Sequence, residues 1–278
     1  GRETTGHEWD GVRELNTPLP RWWLNVFYAT IVFAAIYCVL FPAVPWITGH
    51  SNGVLGITTR GQVATDLANA AKAQSAMLDR IRTADLATIR RDPQLFAFAI
   101  AGGKAAFADN CVPCHRTGAY GGVGYPNLAD DDWLWGGSLE AIQRTITHGV
   151  RNEDGESRQS QMPRFGLDGM LTAAQIGDVA DYVLSLSGRK SDPKAVERGA
   201  AVYAANCVVC HGEKGEGNRD LGAPKLADQI WLYGNDRATV IDVIARARGG
   251  SMPAWGPRLD ETTIKMLTVY VHSLGGGE

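Results

Sequence analysis

The longest run of apolar positions lies near the start of the chain, between residues 22 and 47, from Trp22-Trp23-Leu24 through Val39-Leu40-Phe41 to Pro45-Trp46. It carries no charge, and its one amide is Asn25. About 20 apolar residues cross a hydrocarbon layer, so the pattern predicts a transmembrane helix within 21–47. Trp22, Trp23 and Trp46 stand at its ends, where interfacial anchors sit. The stretch is too long for a cleaved signal peptide, its edges are aromatic, and no small-residue cleavage site follows. Arg13 and Arg21 precede it, and no Lys or Arg follows until Arg60. That asymmetry places the N-terminus in the cytoplasm and the remainder outside, periplasmic to a bacterial inner membrane. Residues 1–20 are polar and rich in turn formers, which predicts an irregular cytoplasmic segment. A first residue other than Met leads to the expectation that Gly1 is not the true start.

Beyond the span, 48–92 is a connector that contains an amphipathic helix over 61–83. Val63, Leu67, Ala70, Met77, Leu78 and Ile81 recur at helical spacing, with Lys72, Asp79, Arg80 and Arg82 on the other face. Such a stripe packs against a domain or a partner subunit. The pattern then repeats. Gly103, Phe107, Asn110 and Cys111 match Gly199, Tyr203, Asn206 and Cys207, and Leu171, Ile176, Tyr182, Val183 and Leu186 match Leu259, Ile264, Tyr270, Val271 and Leu274. The duplication predicts two small helical domains, 93–190 and 191–278. The fold class is therefore all-α: one N-terminal transmembrane helix followed by two copies of one small helical unit.

Composition changes this picture little. With 45% hydrophobic and 21% charged residues the chain is that of a folded protein, and a net charge of −3 gives no general attraction to nucleic acid. The chemistry sits in the cysteines. Four of the five belong to Cys111-Val-Pro-Cys114-His115 and Cys207-Val-Val-Cys210-His211, two Cys-x-x-Cys-His runs of the kind that attach haem c. Two cysteines one helical turn apart can each form a thioether to a vinyl group, and the adjacent histidine meets the iron. A redox dithiol needs no histidine after each pair. A four-cysteine zinc site does not fit a whole repeat between the pairs. The expected cofactors are two covalently attached haem c groups. Their attachment points independently to the outer side of the membrane. Cys38, alone in the apolar run, reads as a small buried hydrophobe.

Each iron needs a sixth ligand or an open position. Met162 in Gln161-Met-Pro-Arg-Phe-Gly166 and Met252 in Ser251-Met-Pro-Ala-Trp-Gly256 occupy matching places before the closing helices. A thioether opposite imidazole raises the reduction potential and closes the iron to other ligands, which is the chemistry of an electron carrier. Met170 and Met266 have no methionine counterpart in the other half. His148 aligns near Arg248 and reads as a surface or propionate-side residue, and His7, His50 and His272 as solvent-facing. The expected axial ligands are His115, Met162, His211 and Met252. Trp133 and Trp231 are candidates to wall the pockets. The first half carries extra residues before its methionine, 149–160, expected as an exposed loop that touches a neighbour or is merely solvated.

The repeats resemble class I cytochromes c. In that family a proline at the position of Pro126 and Pro224 offers its carbonyl to the proximal histidine, a bond that fixes the imidazole. The whole chain resembles the CcoP (FixP) subunits of bacterial cbb3-type cytochrome c oxidases, chiefly through Thr4-Thr-Gly-His-Glu-Trp-Asp-Gly11 and Glu14-Leu-Asn-Thr-Pro-Leu-Pro-Arg-Trp-Trp23. The resemblance implies a membrane complex with a catalytic haem–copper subunit and a monohaem cytochrome subunit. It also implies electrons entering from a donor cytochrome c and passing to an oxygen-reducing site in the partner, with no catalytic site in this chain. Two rival readings are a free-standing membrane-tethered shuttle and a dihaem peroxidase, the latter needing an openable iron.

Overall fold

The computed structural model describes residues 3–275 and 277–278. The chain divides into two compact units, Gly1–Gln74 and Ser75–Glu278.

In the first unit, the segment expected to be irregular forms a hairpin of β1 (Thr4–Trp9) and β2 (Val12–Leu15), antiparallel, with Trp9 opposite Val12. Its turn is Asp10-Gly11, both at positive φ (47° and 84°), the backbone that a two-residue hairpin turn demands and that an Asp-Gly pair supplies. Glu8 and Arg13 add a cross-strand ion pair of 2.7 Å. Helix α1 (Arg21–Leu40) buries none of its side chains within the chain, although it is long and apolar enough to cross a membrane. At about 1.5 Å per residue it is matched to the hydrocarbon thickness. It stops at Phe41, which turns extended because Pro42 follows. The helix is thus shorter than the predicted 21–47. Trp46 lies instead in a two-residue pairing of β3 (Pro45–Trp46) with β4 (Gly49–His50). Cys38 is exposed on α1, not buried as its composition suggested, because no other described element covers that helix.

Helix α2 (Thr59–Thr83) contains the division between the units. Its stripe is also divided. Val63 and Leu67 are exposed, whereas Met77, Leu78 and Ile81 pack with Leu86, Ile89 and Leu95.

The second unit comprises α3 (Leu86–Arg91), α4 (Pro93–Asn110), α5 (Val112–His115), α6 (Leu139–His148), α7 (Ala173–Leu186), α8 (Pro193–Asn206), α9 (Val208–His211), α10 (Arg237–Arg246) and α11 (Glu261–Leu274). The repeat is visible in its starts. Asp92 and Asp192 cap α4 and α8 through their carboxylates, each followed by a proline at the first helical position.

The packing does not follow the two halves of the sequence. The opening helix α4 of the first repeat packs on α11, the closing helix of the second, and α8 packs on α7, the closing helix of the first. The core of one module joins Phe107, Ile142 and Ile146 to Ile264, Leu267 and Val271. The other joins Ile176, Val179 and Val183 to Tyr203, Val240 and Ile244. The expected domains 93–190 and 191–278 have exchanged their closing segments. The reason lies in connection length and in the repeat itself. Only residues 187–192 link α7 to α8, and a short link favours packing of consecutive antiparallel helices. Because the repeats match, either opening helix accepts either closing helix. Gly103 lies against Met266 and Tyr270, and Gly199 against Asp178 and Tyr182. Phe107 meets Tyr270 edge-on at 5.5 Å between centroids, and Tyr203 meets Tyr182 at 5.0 Å.

The two modules also touch through their loops. The Gly124 amide donates to the Leu232 carbonyl (2.8 Å), Tyr233 covers Gly124, and Trp135 covers Gly222. Gly222 has φ +59°, and a Cβ there would overlap the Trp135 ring.

Candidate haem sites

Each Cys-x-x-Cys-His run turns sharply at the end of a long helix. Cys111 ends α4 and starts α5, and its carbonyl accepts from the amides of both Cys114 (3.1 Å) and His115 (2.8 Å). Cys207 does the same for Cys210 (3.2 Å) and His211 (2.9 Å). Burial pushes the Cys111 and Cys207 thiols up to about 11, with the second cysteine of each pair adding to the effect. A reactive redox thiol needs the opposite shift, so these pairs are poor dithiol catalysts. Among the described residues, no three His, Cys, Asp or Glu side chains converge as a metal cage would require.

Both histidines are held by one ring nitrogen. His115 Nδ1 lies 3.1 Å from the Pro126 carbonyl, and His211 Nδ1 lies 2.9 Å from the Pro224 carbonyl. A carbonyl only accepts, so Nδ1 carries the proton and Nε2 keeps its lone pair. Burial lowers the pKa of both rings, the proline bonds opposing it, and the neutral form is the one that binds a metal.

The methionines follow the exchanged helices. Met162 packs on the cluster that includes Cys207, Val208 and Trp231. The Met252 loop runs beside the end of α6: Trp255 and Gly256 donate to the carbonyls of Ile146 and Thr147, and Trp255 joins the cluster of Cys111 and Phe107. In the same way Gly166 and Leu167 donate to the Ala245 carbonyl at the end of α10. The Met252 loop therefore lies in the module of His115, and the Met162 loop in that of His211. Met170 is exposed, and Met266 is buried between α4 and α11, so neither faces a motif.

Trp133 lies in the cluster of Cys111, and Trp231 in that of Cys207. Trp231 Nε1 is buried without a hydrogen-bond partner. A buried donor left unpaired is costly. A carboxylate-bearing ligand in this module would satisfy it, and haem carries two propionates. With paired cysteines one turn apart, a free imidazole lone pair and a methionine loop in the same module, the residues present fit haem c at both motifs.

The remaining histidines differ from expectation in one case. His272 is buried, its Nε2 at 3.0 Å from the Glu278 carbonyl, because α11 packs against α4 and α6 and the chain end lies beside the ring. His148 pairs with Asp154 (3.1 Å) inside the 149–160 loop. Sequence reading passed over Arg151, Asn152, Trp135 and Tyr233. The only signal was the matched position of the two aromatics after Trp133 and Trp231.

Three family models match the chain: "N-terminal domain of cytochrome oxidase-cbb3, FixP" over residues 1–48, "Cytochrome c" over 100–187, and "Cytochrome C oxidase, cbb3-type, subunit III" over 194–271. Among similar curated proteins are the cbb3-type cytochrome c oxidase subunits FixP of Azorhizobium caulinodans (53% identical, covering 100% of this chain and 94% of the relative) and FixP of a Bradyrhizobium species (54%, 100% and 96%). Subunit CcoP of Cereibacter sphaeroides is 52% identical, over 99% of this chain and 95% of the relative.

Proposed function

The chain belongs to the FixP/CcoP family of cytochrome c subunits of cbb3-type oxidases, and from that premise we propose how it carries electrons. As a member it is a membrane-anchored haem c protein, part of a cytochrome c oxidase, with an electron-transfer role. The finer reading is that two haem c groups are bound covalently, one by Cys111 and Cys114 and one by Cys207 and Cys210. His115 and Met252 would hold the iron of the first, and His211 and Met162 that of the second. Haem c supplies a one-electron couple at each site.

The observation that carries this reading is the paired geometry: two imidazoles with Nδ1 engaged by proline carbonyls, each in a module whose methionine loop arrives with the exchanged closing helix. The proline bonds hold the rings in one orientation, and the methionine loops close the iron to other ligands, so the chain conducts and has no catalytic site of its own. Pro126 and Pro224 orient the ligands, and Trp133 and Trp231 wall the pockets. The haem modules lie on the periplasmic side of the inner membrane, with the N-terminal hairpin in the cytoplasm. Their partners are a donor cytochrome c, the monohaem subunit and the haem–copper subunit where oxygen is reduced.

Purifying the tagged chain in mild detergent tests the assembly. A co-purifying haem–copper subunit and a spectrum of two six-coordinate c-type haems support the reading. A lone cytochrome, or peroxide turnover by the chain itself, overturns it.

A further inference from the structure

The extra residues 149–160 were expected to meet a neighbour or solvent, but they turn inward on the same chain. Val150 and Met252 exchange two backbone hydrogen bonds, of 3.0 and 2.9 Å. The Asn152 side-chain Nδ2 donates to the Met252 carbonyl (2.7 Å) and to the His148 carbonyl (2.8 Å). Ser251 Oγ donates to the Arg151 carbonyl (2.9 Å). The methionine loop of the His115 module is thus laced to the end of α6. Met162 has no backbone hydrogen bond of its own among the described residues, so the two methionines are held unequally.

One side chain reaches both loops. Arg151 Nε donates to the Gly250 carbonyl (2.7 Å), two residues before Met252. Its Nη1 donates to the Ser160 carbonyl (3.1 Å), two residues before Met162. The backbone of Arg151 is left-handed, φ +49°, a conformation that a non-glycine residue keeps only when its surroundings impose it. Here they do: the Arg151 amide is bonded to the Arg158 carbonyl (2.9 Å) while its carbonyl takes Ser251. A planar guanidinium presents several donors at fixed angles on different nitrogens, so one Arg can reach two carbonyls on separate loops.

The geometry points to Arg151 as a positioning residue for both axial methionines, a clamp whose two arms hold the Met252 and Met162 loops and whose charge lies between those loops. This inference rests on the axial-ligand assignment above. Asn152 and Val150 form a second, local brace that serves Met252 alone. Removing the clamp leaves each thioether to find its iron from a looser loop and withdraws a positive charge that favours the reduced state at both sites.

Four variants in the full chain, purified with its oxidase partners, test this: Arg151→Gln, Arg151→Lys, Asn152→Ala and, as reference, Met252→Ala. The readouts are the thioether–iron charge-transfer band of the ferric protein, carbon monoxide binding to the ferrous protein, and the two midpoint potentials. R151Q is expected to weaken the band, admit carbon monoxide and lower both potentials. R151K keeps the charge without the planar fork, so its potentials recover more than its band does. N152A changes the His115 haem only. Unchanged band and potentials in R151Q overturn the clamp, as does a change confined to one haem. An unchanged band in M252A instead overturns the ligand assignment, which separates the two failures. Should R151Q fail to assemble with haem, Ser251→Ala, which removes only the contact to the Arg151 carbonyl, provides the milder test: it must loosen the Met252 haem, and full retention of its band overturns the lacing.

Discussion

Gly199 of α8 lies so close to the Asp178 carbonyl of α7 that a Cβ on Gly199 would overlap it. The same closeness joins Gly103 of α4 to the Met266 carbonyl of α11. Glycine at these two positions lets each opening helix cross a closing helix that arrives from the other half of the chain. Gly199→Ala gains helix propensity, about 1 kcal/mol, but forces two backbones apart. Overpacking of this kind costs about 1–3 kcal/mol, so the substitution is expected to be neutral at best, and Gly199→Val clearly destabilising. Thermal unfolding of the haem-loaded protein checks this; an unchanged melting temperature in Gly199→Val contradicts the crossing.

The exchanged closing segments also predict which site each methionine serves. Met252→Ala should open the iron bound by His115, and Met162→Ala the iron bound by His211. Each variant should lower one potential and admit carbon monoxide at that site alone. Redox titration beside the parent protein, with carbon monoxide difference spectra, reads both effects.

Asp181 of α7 is buried, and Arg237 of α10 binds both its carboxylate oxygens at 2.8–3.1 Å. Arg237→Ala strands a buried carboxylate. A fully buried pair broken in this way loses about 3–5 kcal/mol, and since half of Arg237 is exposed the expected loss is nearer 2 kcal/mol. Denaturant unfolding at neutral pH measures it, and Arg237→Ala with Asp181→Asn should recover part of the loss.

A pH dependence follows from the acidic turn before Trp133. Burial, with Asp228 and Asp130 close by, raises the Asp132 carboxyl from 3.8 to about 6. The folded state therefore binds a proton that the unfolded state has released between about pH 4 and 6. Stability must fall as pH rises through that window, and the deficit persists above it. Asp132 is partly exposed, so solvent screening limits the effect to roughly 1 kcal/mol. Asp132→Asn is expected to flatten the decline and to be more stable than the parent at pH 7; melting temperatures across that range test the sign.

Trp231→Phe keeps an aromatic ring, smaller than the indole, and removes the unpartnered N–H. If that donor serves a haem carboxylate at the Cys207 site, the potential of that haem shifts while the other stays. Equal potentials in variant and parent would remove Trp231 from the pocket assignment.

Much of this was legible in the sequence because it is written in short runs. The apolar stretch gave α1, the two Cys-x-x-Cys-His runs gave the tight turns α5 and α9, and the repeat gave the positions of Pro126 and Pro224. Asp10-Gly11 was read as irregular, although the pair is a hairpin-turn signal between Trp9 and Val12. The exchange of α7 and α11 could not be read from the repeat, since matched repeats make both pairings equally satisfying. It is decided by the short link from Leu186 to Pro193. Arg151 and Asn152 were hidden for a similar reason: their partners are backbone carbonyls, and a carbonyl leaves no mark in a sequence.

An experimental structure of the haem-loaded subunit in its oxidase tests the exchange most directly, by showing which sulfur is bonded to the iron that His115 holds. The expected result is Met252 opposite His115 and Met162 opposite His211. Met162 opposite His115 would contradict the exchange.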